Sequence, residues 1–83
     1  MSKIIVAIPA NIAILSKIKG ITTIVPEILF RPGTNSIMVS FQGQIPTEEE
    51  TKRIEEALQE FGNVLPNHYR ECSFVSFRID CNP

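Results

Sequence analysis

The stretch Lys3-Ile4-Ile5-Val6-Ala7-Ile8 decides how the chain is read. It is apolar on both alternating faces: Ile4, Val6 and Ile8 share one, Ile5 and Ala7 the other. A strand with two apolar faces belongs in the middle of a sheet. Pro9 ends it. Beyond it the apolar period changes. Asn11 is placed to cap a helix and Gly20 to close it as the first residue past the end. Between them Ile12, Leu15 and Ile18 form a stripe with Ile14 beside it. Lys17 and Lys19 suit the negative end of that helix.

Residues 21–31 read as a second strand. Ile24, Ile28 and Phe30 share one parity, Val25 and Leu29 the other. Pro26 lacks an N–H, so this strand is expected at a sheet edge or with a bulge. Pro32-Gly33 supplies turn chemistry, extended by Thr34 and Asn35. Residues 36–45 alternate: Ile37, Val39, Phe41 and Ile45 against Met38, Ser40, Gln42 and Gln44. That is a half-buried third strand, and Gly43 on its core side marks a bend or bulge.

The second helix carries the clearest local signal. Thr47 and Glu50 form a capping box, in which hydroxyl and carboxylate satisfy free backbone N–H groups reciprocally. Ile54, Ala57, Leu58 and Phe61 fall on one helix face, and Gly62-Asn63 ends it. Glu48–Lys52 and Glu49–Arg53 are i,i+4 pairs in the favourable orientation. Residues 64–71, with Pro66, read as a connecting loop. Residues 72–81 read as the last strand: Val75, Phe77, Ile79 and Cys81 on one face, Phe74, Ser76, Arg78 and Asp80 on the other.

The resulting order, β-α-β-β-α-β in one domain of residues 1–83, predicts an α+β fold of ferredoxin-like type. Its four-stranded antiparallel sheet carries both helices on one face. Right-handed crossovers place the first and third strands in the centre and the second and fourth outside.

Composition bounds the function. The 83 residues are 43% hydrophobic and 20% charged, as expected of a globular domain. The formal charge of −1 gives no bulk attraction to nucleic acid or to anionic membrane. It is unevenly placed: +3 over residues 1–46 and −4 over residues 47–83. No signal peptide and no membrane-spanning run are evident, so a cytoplasmic protein is expected. Cys72 and Cys81 match no zinc or redox spacing. On one continuous strand they stand too far apart for a disulfide, so two free thiols are expected.

Asn67-His68-Tyr69-Arg70-Glu71-Cys72 is the densest run of reactive side chains. Cys72 as nucleophile with His68 as base is conceivable chemistry, but the spacing supplies neither an orienting group nor an oxyanion hole. No enzyme activity, cofactor or metal is expected. RNA-binding sheets of this topology carry outward aromatics on the third strand. Here those positions are Met38, Ser40, Gln42 and Gln44, so nucleic acid is not expected either. The glycines, at 20, 33, 43 and 62, never cluster into a phosphate-binding loop.

The sheet face left bare by the helices remains. It is expected to show Ile5, Ala7, Val25, Leu29, Met38 and Phe74 among polar groups, and an apolar patch rimmed by polar groups marks interaction sites. The expected function is a non-enzymatic protein-binding module, a small adaptor or inhibitor. Ile5, Val25, Leu29, Met38 and Phe74 are its contact residues, and the partner is another protein or a second copy in a homodimer. The edge around Glu27-Ile28-Leu29 offers strand addition as a second route, with Pro26 blunting it. A regulatory domain that binds a small metabolite at a subunit interface is the alternative, with its site near Pro9, Ala10 and Asn11 at the first strand–helix junction.

Overall fold

The computed structural model describes residues 3–81, and their side chains from Ala10 onward. The order is helix-strand-strand, twice. Helix α1 runs Lys3–Lys19, strand β1 Glu27–Arg31 and β2 Ser36–Gln42. Helix α2 runs Glu48–Leu58, with a 3₁₀ turn over Gln59–Phe61. Strand β3 is Asn63–Tyr69, and a 3₁₀ turn over Arg70–Cys72 leads to β4, Phe74–Asp80. The four strands form one antiparallel sheet in the order β1-β2-β4-β3.

The α+β class, the four-stranded antiparallel sheet and the single helical layer stand. The ferredoxin-like connectivity does not follow from this order. Residues 3–8 are not a strand but the first turns of α1. A short apolar run has no period of its own to separate strand from helix, and here it continues into the helical stripe that follows. Pro9 and Asn11 consequently lie inside α1, not at its border. Gly20 closes the helix as expected, its N–H donating to the Lys17 carbonyl at 3.2 Å.

Three strand assignments change with it. The strand expected over 21–31 is confined to Glu27–Arg31, and Pro26 is buried just outside it. Residues 64–71, expected as a loop, are mostly β3, an edge strand that tolerates Pro66 because an outward amide is not needed there. The last strand, expected outside, is an inner one, paired with both β2 and β3. The edge position of β1 and the inner position of β2 are as expected.

The two hairpins repeat one another. Ser36 and Phe74, which begin the inner strands, stand 38 positions apart, and the same offset carries the β1–β2 register onto that of β3–β4. Asn35 (φ 50°) and Ser73 (φ 53°), left-handed residues that enter β2 and β4, obey it too. A pseudo-twofold axis therefore passes between the paired Val39 and Phe77. In the helices, the fully buried Ile14 and Ile18 correspond to Ile54 and Leu58.

One side of the sheet packs on both helices. Ile37, Val39, Phe41, Val75, Phe77 and Ile79 meet Ile14, Ile18, Ile54 and Leu58, all at most 2% exposed. At about 25 cal/mol per Å² of apolar surface, this layer is the main favourable contribution to folding. The capping box at Thr47 is formed, with Glu50 N–H on Thr47 Oγ1 at 3.1 Å and Thr47 N–H on Glu50 Oε1 at 2.9 Å. Glu49–Arg53 pairs at 3.5 Å. Lys17–Glu60 joins the two helical ends at 2.6 Å.

Candidate functional site

The other side of the sheet carries no helix. Antiparallel registry sets its side chains in rows across the strands. Leu29, Met38, Arg78 and Leu65 make one row, and Glu27, Ser40, Ser76 and Asn67 the next. Arg31, Ser36, Asp80 and Asn63 lie toward one end, Gln42, Phe74 and Tyr69 toward the other. Leu29 is 51% exposed, Tyr69 50% and Leu65 43%. Met38 and Phe74 are half-buried. Tyr69 and Phe74 lie side by side, with ring centroids 6.2 Å apart.

Ser36 and Ser76 point to this side yet are fully buried. Their small side chains let the longer neighbours close over them. The result is a shallow basin of about 430 Å³, walled by Arg31, Met38, Leu65 and Arg78. Its floor hydroxyls already have partners. Ser36 Oγ lies 2.6 Å from Thr34 Oγ1, and Ser76 Oγ donates to the Asn67 carbonyl at 2.9 Å. Arg31 and Arg78 have no ion-pair partner among the described residues. The face thus offers apolar side chains and two unpaired guanidiniums, over a floor with little left to donate.

Of the expected contact residues, the structure brings Leu29, Met38 and Phe74 together on this face. Val25 is not among them. It is 69% exposed but lies in the segment between α1 and β1, before the sheet begins. Ile5 and Ala7 belong to α1, so they cannot line the sheet, and their side chains lie outside the described residues. Leu65 and Tyr69 were not expected there, because Pro66 makes their segment read as a loop. The alternation of Leu65, Asn67 and Tyr69 was the available signal.

The reactive segment 67–72 is divided between strand and turn. His68 faces the helical layer and sets its ring edge-on against Phe77, centroids 4.9 Å apart. Its Nδ1 is buried without a hydrogen-bond partner. Arg70 ties the sheet to the start of α2, donating to the Pro46 carbonyl at 2.6 Å and to Thr51 Oγ1 at 3.2 Å. Cys72 is exposed in the 3₁₀ turn, and Cys81 is partly buried; both are free thiols. Burial, and then the charge of Asp80, push the Cys81 thiol pKa up, which makes it a poorer nucleophile. Among the described residues no three His, Cys, Asp or Glu side chains are grouped to hold a metal ion.

The junction proposed for a metabolite, near Pro9, Ala10 and Asn11, is continuous helix. No helix among the described residues is long and apolar enough to cross a membrane. Compared with protein-family models, with curated proteins and with solved structures, the chain finds no match.

Proposed function

We propose that the protein is a non-enzymatic protein-binding module whose contact surface is the bare face of the sheet. The observation that carries this reading is the exposure of Leu29, Leu65 and Tyr69 on a face that no element of the fold covers. Burying a leucine fully is worth about 1.5–3 kcal/mol, and the face has Met38 and Phe74 to extend such a contact. Arg31 and Arg78 give it polar ends suited to carboxylates of a partner. Tyrosine and arginine beside an apolar centre are the residue types that dominate binding surfaces.

Site-specific photo-crosslinking tests the reading. A photoreactive residue replaces Leu65 in one variant and Glu56, on exposed α2, in another. Each is exposed to extract of the native host. The reading expects one discrete heavier adduct from position 65, none from 56, and loss of the adduct when Tyr69→Glu is added. Equal labelling from both positions, or an adduct indifferent to Tyr69→Glu, overturns it.

A further inference from the structure

The two edges of the sheet are equivalent in the repeat but not in chemistry. Two backbone bonds fix which groups point where. Cys81 N–H donates to the Asn35 carbonyl at 3.0 Å and Gly43 N–H to the Ser73 carbonyl at 2.9 Å, at opposite ends of the β2–β4 ladder. The odd residues of β2 therefore face β4, and Ser36, Met38 and Ser40 turn their backbone groups to β1. Glu27, Leu29 and Arg31 are matched there. Ile28 and Phe30 are left with N–H and C=O pointing away from the sheet. At the other edge the same parity turns Pro66 outward, at the place of Ile28, and proline has no N–H to offer. One edge is blunted and the other is complete.

The helical layer differs in the same sense. Beside β3, the charged or polar Thr51, Lys52 and Glu55 flank a groove with His68. The repeat places Asn11, Ile12, Leu15 and Phe30 at the corresponding positions beside β1. Ile12 is 63% exposed there. The flank of the blunted edge is built for water, and that of the complete edge is largely apolar.

We propose that β1 pairs with β1 of a second copy, antiparallel about a twofold axis at Leu29. The sequence Glu27-Ile28-Leu29-Phe30-Arg31 is complementary to itself in that register. Ile28 stands opposite Phe30 of the second copy, and their outward groups make four backbone hydrogen bonds across the axis. Glu27 stands opposite Arg31 of the second copy, twice. These are the closely spaced positions that are not hydrogen-bonded, where cross-strand charge pairs act most directly. Both helical layers fall on the same side of the joined sheet, so Ile12 and Leu15 of one α1 meet those of the other. The two bare faces join into one surface eight strands wide. The pairing does not depend on the protein-binding reading, which concerns that surface and not its edge.

Light scattering and sedimentation from micromolar to near-millimolar concentration test this directly. The expected species has twice the 9.3 kDa chain mass. Glu27→Arg and Arg31→Glu, each on the exposed surface, should weaken dimerisation about tenfold or more, and the double variant should restore it. Ile28→Pro copies the blunted edge that Pro66 already builds in this fold, and should give a monomer with an unchanged circular dichroism spectrum. A wild-type chain that stays monomeric at near-millimolar concentration overturns the proposal. So does a dimer indifferent to both single charge reversals. Either result leaves the crosslinking test at position 65 unaffected.

Discussion

Single residues show how closely the fold is constrained where the chain turns. Gly62 joins α2 to β3, and a Cβ there would overlap the carbonyl oxygen of Asp80 on the neighbouring strand. That obstacle is backbone, not a side chain that can swing away. Gly62→Ala should destabilise the protein by about 1–3 kcal/mol, measured as a lowered urea midpoint; an unchanged midpoint would show that the strand end moves freely. The two thiols make a second test. Cys72 is exposed, while Cys81 is partly buried with its pKa pushed up by burial and by Asp80. A thiol reagent under native conditions should label Cys72 first and Cys81 slowly, with equal rates only after unfolding. The raised Cys81 pKa also gives stability a sign. Its contribution is complete below the thiol pKa of the unfolded chain and is lost as pH rises through the folded value. Melting temperature should therefore fall more steeply in alkali for the wild type than for Cys81→Ser.

Elements were legible where side-chain chemistry is local and directional. Thr47 and Glu50 announce α2 because both halves of the capping box lie within four residues. Thr47→Ala removes the acceptor for Glu50 N–H and should cost about 1 kcal/mol, with Thr47→Ser recovering most of it; equal stability of all three would mean that water caps the helix as well. The β1–β2 hairpin was legible from Pro32-Gly33 and the alternation of Ile37, Val39 and Phe41. The start of α1 was not. Residues 3–8 carry no polar residue after Lys3 to set a phase, and β-branched Ile and Val favour a strand locally. Only packing beside α2 decides for helix, and packing is not written in six residues. β3 was hidden for the opposite reason. Pro66 argues against a strand, and only its edge position makes it admissible. The bare face was consequently read from three of its five main apolar residues, since Leu65 and Tyr69 arrive with β3.

At the scale of the molecule, the repeat concentrates stability on one side of the sheet and leaves the other side free to vary. Val39 and Phe77 meet at the pseudo-twofold axis, both fully buried among the residues that α1 and α2 supply. Phe77→Ala removes a ring that both halves share and should cost about 3–5 kcal/mol. That is a large part of the ~5–15 kcal/mol that holds a domain of ordinary stability. Leu65 lies on the same sheet, one strand away and one residue out of phase, opposite Arg78. Its side chain meets solvent in the folded chain as in the unfolded one, so Leu65→Glu should shift stability by no more than about 0.5 kcal/mol. The comparison is made by chemical denaturation of both variants at low micromolar concentration, where association does not contribute. If Leu65→Glu were as damaging as Phe77→Ala, the bare face would be needed for folding and its apolar residues would require no partner. If it is silent, folding does not account for Leu29, Leu65 and Tyr69, and contact with another surface is the remaining physical reason for them.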